Sequence, residues 1–228
     1  MNALDTAQIK QTAWDKLSGK WTPACLGFII YLLIYIALDI PSLFFEDGTL
    51  GQALYNCIWG PITWALSLLL QFGIFAFYYD IACKRPLYYK RLFFGFTNGF
   101  MHAVNVFCTQ LLIGIFIILW ALLLIVPGIM KAFSYSMSLY ILIDHPEYSP
   151  LEVIKKSKEM MYGHRMELFI LELRFIPWFL LVLVTCGIAL IWVAPYISTA
   201  CSEFYLQLKQ KTEPQETSEP EVIEATVA

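Results

Sequence analysis

Residues 100–130 read FMHAVNVFCTQLLIGIFIILWALLLIVPGIM, and no Asp, Glu, Lys or Arg interrupts them. About 20 apolar residues in a helix cross a bilayer, so this run can span a membrane but is too long for one helix. Pro127-Gly128, near its end, is a helix-breaking pair. We therefore predict one helix near 102–125 that turns at this pair into a second helix near 127–143.

Other uncharged runs extend the same pattern along the chain, over Trp21 to Leu38, Gly48 to Tyr79, Ala132 to Ile143 and Phe175 to Ser202. Cys186-Gly187 divides the last of them. Of all residues 59% are hydrophobic and 14% are charged, whereas soluble domains carry about 25% charged residues. This composition excludes an ordinary soluble enzyme and a disordered chain. It predicts an all-α membrane bundle of six transmembrane helices in three hairpins, near 24–40, 57–79, 102–125, 127–143, 166–185 and 187–208.

The basic residues test this division independently. Thirteen of the 15 Lys and Arg residues fall before the first helix, in the two long loops near 80–100 and 144–165, or after the sixth helix. The connections on the opposite side hold none. The positive-inside rule then predicts a multi-pass membrane protein with the N-terminus and C-terminus in the cytoplasm.

The six-helix domain covers residues 24–210. Three cytoplasmic segments accompany it: one before it, one in its second long loop and one after it. Residues 1–23 are expected to form an amphipathic helix with Ile9, Ala13, Trp14 and Leu17 on its apolar face. A capping box at Ser149-Pro150-Leu151-Glu152 predicts a surface helix that ends at Gly163, with apolar Leu151, Ile154 and Met161. Residues 211–228 are predicted to be a disordered acidic tail. The net charge of the chain is −3. The five glutamates of this tail contribute −5, so all other charged residues together contribute +2.

Prolines mark the beginnings or weak points of helices. Pro61, Pro127 and Pro195 lie near the start of the three returning helices, where a missing N–H costs least. Pro195 lies deep enough in the sixth helix to kink it. Pro177 should weaken the fifth helix, because its ring collides with the Leu173 carbonyl.

Polar residues recur at helical spacing inside three predicted spans. The sets are Thr63, Ser67 and Gln71 on the second helix, Lys131, Ser134, Tyr135 and Ser138 on the fourth, and Thr199, Ser202 and Glu203 on the sixth. We infer that these returning helices face inward and that the first and third helices face lipid. The stripes either line a polar cavity or hydrogen-bond neighbouring helices, which is worth about 1 kcal/mol or less per contact.

Charged groups at membrane depth need partners or a function. Arg174 lies about 12 Å along the fifth helix from its cytoplasmic end. Glu172 points to a different side of that helix, so we predict that Arg174 pairs with Glu203. Glu172 is then expected to reach the cytoplasmic interface, and Lys131 to extend toward the outer one.

Catalytic chemistry is missing from the sequence. The three histidines lie in separate segments, and no metalloprotease, nucleophile-elbow, phosphate-loop or dinucleotide motif occurs. Asp80 and Glu147 are interpreted as solvated. Cys57 and Cys186 are both expected near the outer face. Two interpretations are open: the two thiols form a disulfide, or they pack as small apolar side chains, as free cysteines usually do. We predict no enzyme, no catalytic residue, no metal, no cofactor and no nucleic-acid partner.

Several short motifs resemble a known family. They are Ala13, Leu17, Gly19 and Trp21, then Pro127-Gly128-Ile129 and Ala132 to Met137, then Tyr148-Ser149, Ile154 to Ser157, Met160 to His164, Phe175-Ile176, Trp178, Pro195-Tyr196, Thr199 and Phe204-Tyr205. The chain resembles a family of bacterial six-helix membrane proteins, common in Firmicutes, whose function is unknown. Arg174 and Pro177 depart from its usual Ser and Gly. The resemblance implies a topology and a location in a bacterial cell membrane but no activity.

Two functions from different classes fit these features. We expect a non-enzymatic scaffold or modulator of membrane or partner proteins, with anionic lipid at its cytoplasmic face and a protein partner or a second copy of the chain as further candidates. The alternative is a small-solute or ion transporter or channel, because helices interrupted by proline recur in transporters. A cavity where the polar stripes meet would favour transport.

Overall fold

The computed structural model describes residues 4–41 and 50–212. Of these residues 84% are helical and none lies in a strand. A 3-10 helix covers Tyr89–Phe93. The α-helices are α1 Thr6–Leu17, α2 Trp21–Asp39, α3 Leu50–Ala82, α4 Phe94–Thr97, α5 Phe100–Leu123, α6 Ile125–Tyr135, α7 Ser138–Asp144, α8 Pro150–Met160, α9 Arg165–Leu173, α10 Ile176–Val184 and α11 Leu190–Thr212.

Within the described residues, four helical segments are long and apolar enough to cross a membrane. They are Trp21–Asp39, Tyr55–Ala82, Phe100–Leu123 and Val126–Asp144, with mean hydropathies of 2.0, 1.5, 2.5 and 1.3. These segments correspond to the first four predicted spans. The chain is therefore all-helical with apolar helices typical of a membrane protein.

The returning helices are the more buried ones, as predicted. In the most apolar 18-residue stretch of the second and fourth segments, 33% and 50% of the residues are buried, against 11% in the first and in the third. In α11, buried side chains recur from Val193 to Leu208. The predicted inward orientation of these helices is confirmed, and α2 and α5 present apolar surface to the outside.

The turn between α5 and α6 falls at the predicted break. Leu124 is extended, with φ −162° and ψ 136°, and Pro127 lies in the first turn of α6. A Cβ on Gly128 would lie 2.8 Å from the Ala121 Cα, so only glycine permits this close approach of the two backbones. α5 and α6 consequently pack closely against each other.

The fifth predicted helix is divided. α9 ends at Leu173 and α10 begins at Ile176. Pro177 has no N–H for the Leu173 carbonyl, and the Trp178 amide bonds to the Phe175 carbonyl at 2.9 Å in the tighter 3-10 manner. The predicted weak point at Pro177 is confirmed. The fourth helix is also divided, into α6 and α7, at Ser136 and Met137.

α10 and the start of α11 project from the bundle. Cys186 and Gly187, with φ 49° and 91°, form the turn between the two helices at the predicted position. α10 has no buried residue and packs mainly against α11. This arm exposes Phe179, Leu183, Val184 and Trp192 among other large apolar side chains.

Pro61 lies elsewhere than predicted, whereas Pro195 lies inside its helix as predicted. Pro61 was expected in the first turn of its helix, but α3 begins at Leu50 and encloses it. Pro195 is buried inside α11. The connection expected near 41–56 is in part helical, because α3 covers its last residues.

α1 is a bundle helix as well as an amphipathic one. Asp5 caps its N-terminus by accepting from the Ala7 amide at 2.9 Å. Ile9, Ala13 and Leu17 are fully buried, and the helix packs on α11, α9 and α3. The expected apolar face is confirmed except for Trp14, which is partly exposed.

α8 begins at the predicted Pro150, although the Ser149 side chain makes no capping hydrogen bond in the structure. Its buried face is formed by Val153, Ile154, Ser157 and Met160. Leu151, expected on the apolar face, is 61% exposed, because α8 turns its opposite side toward α5 and α7. The predicted disordered tail lies outside the described residues, apart from its first two.

Candidate functional site

A cleft of about 450 Å³ opens between α3, α5, α6, α7, α9 and α11, and we refer to it as the central cleft. Its walls are mostly apolar, from residues such as Phe75, Ile113, Ile117 and Leu168. The polar side chains that border it are those of Gln71, Gln110, Tyr135, Ser136, Tyr140 and Glu172. Apolar walls with a few polar groups are typical of small-molecule sites, and the volume lies in their usual range of about 300–1,000 Å³.

Two amides face each other across α3 and α5. Gln110 Nε2 donates to the Leu68 carbonyl at 2.8 Å, which ties α5 to α3. Gln71 lies near the middle of α3, three residues beyond Leu68, so both amides fall in the same layer. Gln71 was predicted in the polar stripe of its helix, whereas Gln110 was missed because no polar repeat surrounds it on α5.

Glu172 is the charged group of the central cleft. It lies on the last turn of α9, just before the break. Among residues 4–41 and 50–212 no ion pair or side-chain hydrogen bond is found for its carboxylate. Glu172 is exposed at the edge of the cleft, and Cys201 of α11 also lines it. An unpaired carboxylate in a largely apolar wall favours a cationic ligand.

The hydroxyls of the polar stripes are buried between the helices instead of lining this cleft. Ser134, Ser138, Thr199 and Ser202 are all fully buried. Ser134 Oγ donates to the Met130 carbonyl at 2.7 Å, and Ser202 Oγ donates to the Ser198 carbonyl at 2.8 Å. Ser157 Oγ of α8 donates to the Ser134 carbonyl at 2.9 Å. Of the stripe residues on the fourth predicted helix, Tyr135 borders the cleft.

The predicted Arg174–Glu203 pair is wrong. Glu203, which is 5% exposed, forms its ion pair with Lys16 of α1. Gln207 Nε2 also donates to its carboxylate at 3.1 Å. The prediction failed because α1 was expected at the membrane surface, whereas it packs along α11 and brings a closer cation.

Arg174 lies at the break between α9 and α10 and is exposed. Because Pro177 disrupts the helix, the Arg174 carbonyl is free to accept from Lys10 Nζ of α1 at 3.3 Å. Lys10 also lies 5.2 Å from the centre of the Phe175 ring. Partial burial, together with the nearby positive charge of Arg174, lowers the pKa of Lys10.

Lys131 contacts the turn between α5 and α6. Its ammonium lies 4.6 Å from the centre of the Trp120 ring, a cation–π distance. The expected extension of Lys131 toward the outer interface stays a prediction.

Asp144 is the centre of a charged cluster that sequence reasoning missed. Its carboxylate accepts from Tyr79 Oη at 2.7 Å, Tyr205 Oη at 3.0 Å and Lys209 Nζ at 2.7 Å. The cluster joins the ends of α3, α7 and α11, and Tyr140 stacks on Tyr205 with ring centres 5.3 Å apart. The sequence did contain a hint of this cluster, because all these residues lie at helix ends that were predicted on the same side of the bundle.

Asp80 was expected to be solvated, but it is buried and paired. Its carboxylate meets Arg91 Nε at 2.9 Å and Arg85 at 3.4 Å. The two arginines belong to the loop after α3, which folds back onto that helix as the 3-10 helix. Cys57 and Cys186 are both exposed free thiols, so the conceivable disulfide between them is absent.

The fold and these sites define a helical membrane-type protein with a central cleft. Residues 122–212, from the end of α5 to the end of α11, match the model of the family described as "Protein of unknown function (DUF975)". The predicted resemblance to a family of unknown function is thereby confirmed for this part of the chain. No curated protein and no solved structure matches the chain.

Proposed function

We propose that the chain is a non-enzymatic, multi-pass protein of a bacterial cell membrane that acts as a scaffold or modulator of membrane or partner proteins. The observation that carries this proposal is the full burial of the hydroxyl stripes on α6, α7 and α11. Because these buried side chains fill the space between α6, α7 and α11, they leave no route for solutes between those helices. Two further helices, α1 and α8, pack on the same body and enlarge its rigid surface.

The proposed topology has six crossings with both termini in the cytoplasm. Beyond the four long apolar segments, α9 and α10 form one crossing and α11 forms the other. Arg165 to Val184 would extend about 30 Å at the helical rise, which matches the hydrocarbon thickness. The one-sided distribution of Lys and Arg supports this orientation.

The exposed thiols of Cys57 and Cys186 offer a test of that topology. Single-cysteine variants are labelled in whole cells with a membrane-impermeant maleimide. The proposal expects labelling of Cys57 and of Cys186 from outside, and labelling of Lys155→Cys only after the cells are opened. Labelling of Cys186 only in opened cells would show that α10 and α11 fail to cross.

The loop between α3 and α5 supports contact with anionic lipid. It carries four basic residues and the exposed Tyr88, and the exposed Phe100 and Met101 follow it at the start of α5. Aromatic and basic residues together are typical of segments at the headgroup level of a membrane. The exposed apolar surface of the α10–α11 arm is where we expect a protein partner or a second copy of the chain to bind.

The scaffold proposal is tested with purified protein in liposomes. Flux of monovalent ions, amino acids and sugars is compared with that of protein-free liposomes. The proposal expects no difference for any of these solutes. Protein-dependent flux of any one of them would overturn it.

The central cleft favours a second candidate, a transporter of small organic cations. Its carboxylate, two amides and apolar walls match an amine with an apolar body. The same liposomes would then take up a radiolabelled organic ammonium ion that crosses protein-free bilayers poorly, such as tetraethylammonium. Glu172→Gln would abolish that uptake, while Glu152→Gln on the exposed side of α8 would retain it.

A further inference from the structure

A second cleft lies on the opposite side of α11, between α1, α2, α10 and α11. It has a volume of about 290 Å³ and is lined by Trp14, Trp21, Trp178, Leu181, Ala189, Trp192, Val193 and Tyr196. We refer to it as the tryptophan cleft. Its four indoles come from four separate segments of the chain, so the folded protein alone assembles them.

The rings around Trp14 form a connected wall. Trp14 lies 5.0 Å from Trp21 and 5.4 Å from Tyr196, both edge to face, with Trp178 at 6.4 Å. Trp14 and Trp192 are themselves about half exposed. Tryptophans with an apolar body and one N–H are favoured at the boundary between lipid chains and headgroups.

Two cations stand next to this wall. Lys10 Nζ lies 5.9 Å from the centre of the Trp178 ring, and it also contacts the Phe175 ring and the Arg174 carbonyl. The Arg174 guanidinium has neither an ion pair nor a side-chain hydrogen bond within the part of the chain that the structure describes. Like charges this close repel each other and need a counter-charge. Residues 4–41 and 50–212 supply none here, although they include partners for Lys16, Arg91 and Lys209 elsewhere.

We propose that Lys10, Arg174 and the tryptophan cleft form a binding site for an anionic phospholipid. The phosphate lies between the ammonium and the guanidinium, which suits an arginine because its planar donors match phosphate oxygens. An acyl chain lies along the indoles toward Leu181 and Trp192. The site deepens the proposed function by giving its anionic lipid a binding site, and it rests on the proposed topology with the N-terminus in the cytoplasm.

The charge of the site selects the anionic headgroup, and its apolar wall selects a lipid over a free anion. A soluble phosphate compound would gain nothing from four tryptophans. A zwitterionic lipid would bring an ammonium beside two existing cations. Phosphatidylglycerol, with one net negative charge, satisfies both conditions and is the probe for the test.

Tryptophan fluorescence reports this site directly. The full chain is placed in nanodiscs of phosphatidylcholine that contain increasing fractions of phosphatidylglycerol with brominated acyl chains, since bromine quenches indoles on contact. Brominated phosphatidylcholine at the same fractions gives the non-specific quenching. We expect half-maximal quenching at a lower fraction of the anionic lipid, and this preference should fall about fivefold in Arg174→Gln and in Lys10→Gln, the equivalent of about 1 kcal/mol per base.

Lys155→Gln, which removes an exposed base on α8 far from the indoles, should retain the full preference. Equal quenching by the two brominated lipids in the wild-type protein would overturn the proposal, as would an equal loss of preference in Lys155→Gln. Because Lys10→Gln also removes a contact of α1, Arg174→Gln is the decisive variant when the former fails to fold.

A separate experiment distinguishes binding of a lipid from binding of a free anion. Inorganic phosphate at 10 mM, a concentration chosen as about a thousandfold above the protein, should leave the quenching by the anionic lipid unchanged. If phosphate relieves it, the site binds an anion and not a lipid. These results are independent of the flux measurements, so that failure of the lipid site and failure of the scaffold proposal are distinguishable.

Discussion

The helix ends that meet at Asp144 and the break between α9 and α10 both hold charged side chains, yet their surroundings differ completely. Asp144 has three donors within 3.0 Å and its side chain is 10% exposed. Arg174 and Glu172, at the break, are exposed and have no described partner of opposite charge. A buried ion must be paired to be tolerated. The paired charges therefore serve the fold, while the unpaired ones are available to a ligand.

Packing follows the same division. Around Asp144, the rings of Tyr79, Tyr140 and Tyr205 are buried and contact one another, with Tyr140 stacked on Tyr205. Beyond Arg174, α10 contains no buried residue at all. The first region should resist change through many simultaneous contacts, and the second should tolerate it. Substitutions in the two regions therefore test the contrast.

Asp144→Ala should have the largest effect, because it removes three hydrogen bonds and leaves the Lys209 ammonium without its partner. We expect a loss of about 3 kcal/mol in the free energy of unfolding, the lower end for breaking a buried pair. Unfolding by urea in detergent micelles, followed by circular dichroism, measures it. Glu147→Ala, an exposed acid in the loop that follows, should leave the transition where it is. Equal effects of the two changes would show that the Asp144 cluster does not hold the helices together.

Gly73→Ala should come next, since it tests the backbone packing of the same region. A Cβ at Gly73 would lie 1.7 Å from the Leu92 carbonyl oxygen, so that α3 and the 3-10 helix must separate. Overpacking of this kind costs about 1–3 kcal/mol, and we expect the upper part of that range.

Gly114→Ala is the matched control for Gly73→Ala, because a Cβ there meets nothing within 4 Å. This change should be neutral or stabilise the helix by up to about 1 kcal/mol. Similar thermal midpoints for the two variants would contradict the close approach of Leu92 to α3.

Sequence reasoning located most helix breaks because Pro127-Gly128, Pro177 and Cys186-Gly187 impose local rules on the backbone. It also placed the inward helices, because polar residues recur along them at helical spacing. It could not place α1, whose burial depends on a long-range contact with α11. The partners of Glu203 and Asp144 were missed for the same reason: ion pairs such as Lys16–Glu203 join residues that are far apart in sequence.

The Lys16–Glu203 pair should show coupling in a double-mutant cycle. With Lys16→Met and Glu203→Gln, the side chains being 15% and 7% exposed in the native protein, we expect a coupling energy of about 1–2 kcal/mol. The cycle of Arg174→Gln with Glu203→Gln should be additive within about 0.5 kcal/mol. Coupling in the second cycle and not in the first would restore the pair that the sequence suggested.

Arg174→Gln alone should have the smallest effect on stability and is for that reason the most informative about function. In phosphatidylcholine nanodiscs its unfolding free energy should stay within about 0.5 kcal/mol of the wild-type value, as for other exposed side chains. A lipid that binds only the folded state stabilises it in proportion to its occupancy. Phosphatidylglycerol should then raise the thermal midpoint of the wild-type protein more than that of Arg174→Gln. A variant that is destabilised in phosphatidylcholine but responds normally to the anionic lipid would assign Arg174 to the fold, on the same side of the contrast as Asp144.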